Sequence, residues 1–193
     1  MAKDYSLEAT PANAQRLAKH ARDDAWTRDF LLRAEVGHIA TRWDDQPFIT
    51  PTTFWYDEER HEILFHSNIV GRTRANIERH NRVCFEASQV GRFLPSNVAL
   101  EFSNQYRSVI AFGTARILED PEEKRRALYG LIAKYFPDMA PGEEYRPITD
   151  KELAATSVYA IAIESWSGKE NWKERAGQSD AWPPLAGFDG RPA

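Results

Sequence analysis

Short strand-like segments in hairpin order constrain the fold of this chain more than any other feature. Each segment is rich in β-branched and aromatic residues, and most are separated by turns rather than by helices. A doubly wound parallel sheet would need a helix between successive strands, and these helices are missing. We therefore predict a mainly β fold, a small six-stranded antiparallel barrel with helices outside. The predicted strands are residues 36–41, 47–56, 61–67, 83–87, 106–118 and 158–164.

The spacing of these segments adds local detail. The first three strands are close enough along the chain to form a three-stranded meander. Gly113 lies inside the longest strand and predicts a bulge where the sheet bends. Residues 91–105 contain Pro95, Ser96 and several amide side chains, which favours a loop too long to be a simple turn.

Helices are predicted before, between and after these strands. Thr10-Pro11 is a helix start, and apolar residues at helical spacing follow as far as Ala21. Asp120-Pro121 starts a later helix, with Asp120 as the cap and Glu123 at the position of a capping box. Two further helices are expected at residues 24–34 and 72–80.

The length of 193 residues indicates a single domain, residues 1–193, with a helical segment at 1–35 and a C-terminal arm at 165–193. A formal charge of -4 gives no overall attraction to nucleic acid or to an anionic membrane, so we expect neither partner. One cysteine excludes an intramolecular disulfide, and no stretch is apolar enough for a signal peptide or a membrane span. We expect a soluble, cytoplasmic protein without a bound metal.

The stretch from Ile63 to His80 offers the most specific chemistry. A strand ends in Ser67 and Asn68, Gly71 allows close approach of the backbone, and Arg72 begins a basic helix. A helix N-terminus with cations and hydroxyl groups is suited to a phosphate. The alternative is that the arginines form a solvated helix face and that Gly71 only ends a turn.

The order of several motifs resembles a known family. These motifs are VGHIAT at 36–41, ITPTTFWYDEE after Pro47, ILFHSNIVGRTR, YRSVIAFGTARI and IESWSGKE at 163–170. Together they are similar to the FMN-binding split-barrel family of pyridoxamine 5'-phosphate oxidases, and most similar to its branch of nitroimidazole-resistance (Nim)-related flavin-binding proteins. The resemblance implies a homodimeric split β-barrel.

It also implies FMN, with FAD as an alternative, in a groove between two subunits. Arg72, Thr73 and Arg74 would hold the phosphate with help from Ser67, and His66 would lie beside the cofactor. The same resemblance implies further cofactor contacts from Thr50, Pro51, Thr52, Thr53, Ser108, Trp166 and Lys169.

Departures from the oxidase pattern narrow the expected activity. Thr50 and Thr73 stand where the oxidases carry a phosphate-binding Arg and Lys, with Arg74 as a candidate substitute, and the C-terminal Arg-x-His has no counterpart. These differences argue against pyridoxamine phosphate oxidation and favour the Nim-related branch.

We therefore expect an oxidoreductase, a two-electron reductase of small nitroaromatic or quinone-like acceptors with a transiently bound NADH or NADPH. His66 is the candidate proton donor. The alternatives are a non-catalytic flavin- or haem-binding storage protein and a barrel that only dimerises. Separately, the alternative for His66 and for Trp166 is that each is an ordinary packing residue.

Overall fold

The structure, a computed structural model, describes residues 13–14 and 17–185. The α-helices are α1 (Asp24–Arg33), α2 (Arg72–Arg79), α3 (Pro121–Tyr135) and α4 (Asp150–Ala155). Short 3-10 helices lie at Ala18–His20 and Ala99–Glu101. The strands are β1 (Ala21–Arg22), β2 (Gly37–Trp43), β3 (Gln46–Thr52), β4 (Trp55–Asp57), β5 (Glu62–Asn68), β6 (Arg82–Leu94), β7 (Ser103–Ile117) and β8 (Thr156–Asn171).

These strands form one antiparallel sheet in the order β3-β2-β6-β7-β8-β5-β4, with β1 paired to β8. The predicted mainly β, antiparallel fold with flanking helices is confirmed, although the described sheet has eight strands rather than six. The predicted three-stranded meander is wrong. The β2-β3 hairpin forms as expected, but β5 pairs with β4 and β8 because the chain leaves β3 at Thr53.

The strands enclose one main hydrophobic core. Phe54, Phe65, Phe85 and Tyr159 are almost fully buried in it, and the Phe54 and Phe85 rings meet edge to face at 4.8 Å between centroids. A smaller cluster around Leu64 packs beneath α3. Burial of these side chains supplies the main driving force for closing the sheet around its core.

The bulge predicted at Gly113 is confirmed. The pairing of β7 with β8 shifts between Phe112 and Gly113. A Cβ added at Gly113 would lie 2.1 Å from the Ala162 carbonyl oxygen, so the two backbones approach too closely for a side chain. Gly113 therefore allows the long strands to bend across the core.

The later helix begins as predicted, whereas the first predicted helix does not continue to Ala21. Asp120 accepts hydrogen bonds from the Glu122 and Glu123 amides at the start of α3. Residues 10–12 and 15–16 lie outside the described part of the chain. After them Ala18–His20 is a 3-10 turn and Ala21–Arg22 is a strand, because β1 hydrogen-bonds to the edge of β8.

Three strands run further than the sequence predicts. β6 continues to Leu94 and β7 starts at Ser103, so the predicted loop at 91–105 shrinks to residues 95–102. β8 continues through Trp166 and Lys169 to Asn171, so the chain leaves the sheet only at Trp172. No helix among the described residues is long and apolar enough to cross a membrane.

Candidate functional site

The N-terminal end of α2 is an open, positively charged corner. No side chain caps the helix at Gly71, and a Cβ added there would meet nothing within 4 Å. The amide groups of the first helical turn have no acceptor within the helix, so they are available to an anion. The exposed Arg72 guanidinium has no carboxylate partner among residues 13–14 and 17–185, and its only described contact is the Trp43 ring at 5.3 Å.

Thr73 ties this corner to the edge strand. Its hydroxyl lies 3.2 Å from that of Thr50 on β3, and the Thr73 residue is only 8% exposed. One turn later the Asn76 amide donates to the Thr41 hydroxyl at 2.9 Å. These two bonds fix α2 against β2 and β3, and they place Thr50 and Thr73 together.

Arg74 is held by its own chain. Its guanidinium donates to Glu78 at 2.7 Å and to the Ser157 hydroxyl at 3.0 Å, and it lies 3.8 Å from Glu119. Because these partners already use its donors and balance its charge, Arg74 is a weaker anion ligand than the sequence suggests. Arg72 is the cation at this corner that lacks an acidic partner among the described residues.

Ser67 and His66 point to opposite faces of β5, since side chains alternate along a strand. The Ser67 hydroxyl lies 2.9 Å from that of Tyr159, at the edge of the core. The His66 imidazole is exposed and has no hydrogen-bond partner in the described part of the chain. Protein atoms around it still displace part of its water, which lowers the pKa of His66 below its ordinary value of 6.5. His66 is therefore neutral at pH 7.

The segment Pro51–Thr53 borders this corner at the end of β3, which is an edge strand within the chain. The Thr52 hydroxyl donates to the Thr53 carbonyl at 3.0 Å. The next residue, Phe54, is held by α3, because its amide donates to the Tyr135 hydroxyl at 3.0 Å. The same hydroxyl donates to the Glu35 carbonyl at 2.6 Å, so Tyr135 anchors this end of the wall.

Trp166 lies in a different part of the same chain. Its indole N–H donates to Asp24 at 2.8 Å, and its ring packs edge-on against His61 at 4.6 Å and beneath Arg28 at 5.1 Å. The indole nitrogen of Trp166 is therefore already hydrogen-bonded to a residue of α1. No contact in the described ranges joins Trp166 to α2.

Ser108 and Lys169 form a third group. They are paired directly across β7 and β8, and the Lys169 ammonium lies 5.0 Å from the Tyr106 ring centroid. Within one chain the structure thus brings together Thr50, Ser67, Arg72, Thr73 and Arg74 around α2, with residues 51–53 alongside. It leaves Ser108, Trp166 and Lys169 elsewhere on the sheet.

Sequence reasoning missed three side chains that shape this corner. Trp43 lies beside both Arg72 and Arg79, and the Arg79 guanidinium is 4.7 Å from its ring. The sequence pattern indicated only that Trp43 belongs to a turn. Tyr159 had a detectable signal, since it alternates with Ala160 along the last strand. No sequence signal indicated the role of Tyr135, because it hydrogen-bonds to residues that are distant along the chain.

Within the described part of the chain no cluster of three or more His, Cys, Asp or Glu side chains is arranged to hold a metal ion.

The fold has counterparts in known structures. The flavocytochrome Anf3 from Azotobacter vinelandii is 26% identical, with a TM-score of 0.79 over 90% of this chain and 80% of that one. A protein described as binding FAD and haem from Mycobacterium smegmatis is 25% identical, with a TM-score of 0.69 over 85% and 75% of the two chains. A candidate 5-nitroimidazole antibiotic resistance protein from Bacteroides thetaiotaomicron is 23% identical, with a TM-score of 0.65 over 77% and 84%, and shares the fold.

A search of the curated protein sequences returned no match. Residues 23–170 match the sequence profile of the family described as pyridoxamine 5'-phosphate oxidase. This range includes every strand from β2 to β7, the α2 corner and nearly all of β8. The family resemblance inferred from the sequence motifs is confirmed, and the chain belongs to the pyridoxamine 5'-phosphate oxidase family.

Proposed function

We propose that this chain binds a flavin at the α2 corner and is a flavin-dependent oxidoreductase that reduces small nitroaromatic or quinone-like acceptors. The observation that carries the proposal is the open N-terminus of α2, where Arg72 lacks an acidic partner among the described residues. Anf3 and the Mycobacterium smegmatis protein, whose descriptions name a flavocytochrome and an FAD- and haem-binding protein, support it.

The residues at this corner fit a flavin phosphate. Arg72 supplies the charge, the amides of the first turn of α2 supply donors, and the Ser67 hydroxyl lies on the neighbouring strand. Thr50 and Thr73 hydrogen-bond to each other, so they position α2 and leave the charge to Arg72. Residues 51–53 provide an edge-strand wall for a flat ring. We propose FMN as the cofactor, with FAD as the alternative.

A bound flavin supplies two-electron transfer between NADH or NADPH and the acceptor. His66 is exposed and neutral at pH 7, so its ring carries one N–H donor and one acceptor nitrogen. We assign it to hydrogen-bond the acceptor or the edge of the cofactor. Proton donation from the imidazolium requires a pH below its lowered pKa.

We propose that the protein is a homodimer with the cofactor at the subunit interface. Directly paired residues form an apolar row across four strands, from Ile49 through Ala40 and Cys84 to Phe112. Ile49 is 63% exposed, and the other three are only partly buried. Ser108 shares the Phe112 face of β7, so pairing two such faces would bring Ser108 and its neighbour Lys169 toward the partner's cofactor.

Replacement of Phe112 by Glu tests this interface. The charge would face the apolar row of the partner, and we expect the variant to be monomeric by light scattering while the wild type is a dimer. A monomeric wild-type protein, or a variant that stays dimeric, would contradict the assigned face.

The phosphate assignment is tested at Arg72. Changing Arg72 to Ala should weaken flavin binding by about 1.5 to 3 kcal/mol, which is the usual range for a hydrogen bond to a charged group. Arg79→Ala is the matched control, because Arg79 stacks on the same Trp43 ring but is paired with Asp44 at 2.7 Å. Equal affinities for the Arg72 variant and the wild type would refute this role.

The reductase activity is tested by stopped-flow mixing. Holoprotein mixed with NADH or NADPH should lose the oxidised flavin absorbance, and an acceptor such as 4-nitrobenzoate should restore it. If neither donor reduces the flavin, the protein is a non-catalytic flavin carrier.

A flavin- and haem-binding protein is the second candidate function. It is favoured by the two structural relatives described as a flavocytochrome and as an FAD- and haem-binding protein. His66 is the residue that would hold the haem iron, since its imidazole is exposed, is neutral at pH 7 and has no described hydrogen-bond partner. Addition of haem should then produce a sharp Soret band that His66→Ala abolishes. An unchanged spectrum of free haem rejects this candidate.

A further inference from the structure

A sizeable cavity of the described chain lies away from the α2 corner. It has a volume of about 670 Å³ and opens between the end of the β6-β7 hairpin, at residues 92–97, and the segment 174–185 that follows β8. This volume is within the range of small-molecule sites, roughly 300 to 1,000 Å³. None of the motifs that identify the family contributes a residue to it.

Two aromatic side chains and one arginine give the cavity its chemistry. Phe93 and Trp182 line it and are 55% and 67% exposed, so their rings are accessible to a ligand. Arg175 also lines it and has no carboxylate partner among residues 13–14 and 17–185. Two acidic residues are present as well. Glu174 is paired with Arg92, and Asp180 has no described partner.

The walls are held in place by hydrogen bonds. The Asn97 amide donates to the Ser179 and Trp182 carbonyls at 2.8 and 3.1 Å and accepts from the Ser179 amide at 2.9 Å. Ser96 donates to the Gly177 carbonyl at 2.6 Å. The segment 174–185 is thus fastened to the hairpin, and the cavity exists before any ligand arrives.

A buried side chain links the hairpin to the segment that precedes residues 174–185. Gln105 is 3% exposed, accepts from the Arg92 amide at 3.1 Å and donates to the Lys173 carbonyl at 2.9 Å. It therefore joins the two chain segments where they enter the cavity wall. A buried amide satisfied in this way sets a defined spacing between them.

We propose that this cavity is a binding site for a small planar aromatic molecule that carries an anionic group. Phe93 and Trp182 contact the ring, and Arg175 pairs with the anion. The aromatic walls suit a flat apolar body, and the Arg175 guanidinium suits a negative charge that is bound on its side of the cavity rather than beside Asp180. The proposal does not depend on flavin binding.

The test uses the full chain without added flavin and 4-nitrobenzoate as the probe, with nitrobenzene as the neutral analogue. We expect calorimetry to show binding of 4-nitrobenzoate, and Arg175→Gln to weaken it about fivefold to tenfold. The same variant should leave the affinity for nitrobenzene unchanged. Arg60→Gln is the matched control, because Arg60 is an exposed arginine paired with Glu123 elsewhere in the fold.

Two substitutions of Trp182 distinguish a loss of binding from a loss of structure. Trp182→Ala should weaken both probes, whereas Trp182→Phe should largely restore them, and circular dichroism should show unchanged strand content for both. The proposal is overturned if 4-nitrobenzoate does not bind at millimolar concentration. It is also overturned if Arg175→Gln and Arg60→Gln bind it equally well, or if Trp182→Ala binds as the wild type does.

Discussion

Replacing Lys134 by Met is expected to stabilise the fold, although the change removes a charged side chain with good contacts. Lys134 is half-buried at the end of α3, its ammonium lies 3.5 Å from the Phe54 ring centroid, and it donates to the Leu31 carbonyl at 3.3 Å. Burial lowers its pKa from 10.5 to about 8. Keeping Lys134 charged in the folded protein therefore costs free energy.

The magnitude follows from that shift. Each unit of pKa corresponds to about 1.4 kcal/mol, so keeping the charged form folded at pH 7 costs about 3 kcal/mol. Met loses the attraction between the ammonium and the Phe54 ring, worth about 1 to 2 kcal/mol. Because the side chain is only half-buried, we expect a net gain of about 1 to 2 kcal/mol in the free energy of unfolding.

The pH dependence has a definite sign. Between pH 8 and 10.5 the unfolded chain binds more protons than the folded one, so the stability of the wild type rises with pH in this window. The Lys134→Met variant lacks this contribution, and its advantage should shrink by about 2 kcal/mol between pH 7 and pH 10.

Urea denaturation followed by tryptophan fluorescence at pH 7, 8, 9 and 10 measures both quantities. Lys151→Met is the control for the loss of a lysine, because Lys151 is exposed on α4. A Lys134→Met variant that is less stable than the wild type at pH 7 would refute the burial penalty. So would an advantage that does not change with pH.

Four further substitutions test the structure elsewhere. Gly113→Ala should lower the free energy of unfolding by about 2 to 3 kcal/mol, since its Cβ would meet the Ala162 carbonyl, whereas Gly71→Ala should change it by less than about 0.5 kcal/mol in the same denaturation assay. Tyr135→Phe should cost about 1 to 3 kcal/mol and weaken flavin binding in a fluorescence titration, because the hydroxyl that anchors residue 54 is lost. His66→Gln should remove any titration of flavin affinity that occurs below pH 6.5, and an unchanged pH profile would show that His66 does not contact the cofactor.

Local signals predicted the parts of the fold that depend on neighbours in sequence. The cap at Asp120, the hairpin from β2 to β3 and the bulge at Gly113 each follow from one or two residues with special geometry. The pairing of β5 with β8 joins residues about a hundred positions apart, and no local pattern specifies it. The meander prediction failed for that reason.

For the candidate site, likewise, one part could be predicted from the sequence and another part could not. Arg72, Thr73 and Ser67 could be placed together from sequence, because a strand, a turn and a helix start follow one another there. That Arg74 is held by Ser157 and Glu78, and that Trp166 is held by Asp24, depends on side chains whose proximity only the tertiary structure determines. The cavity beside Trp182 was not predicted, because the C-terminal segment carries no motif that indicates its return to the hairpin.

The central claim is that the corner at Arg72 holds a flavin. The most direct measurement is the absorbance spectrum and flavin content of the purified full-length protein after incubation with FMN or FAD and removal of unbound cofactor by gel filtration. We predict a band near 450 nm and about one flavin per chain, with less flavin retained by Arg72→Ala than by Arg79→Ala. A colourless wild-type protein that retains neither FMN nor FAD would contradict the account.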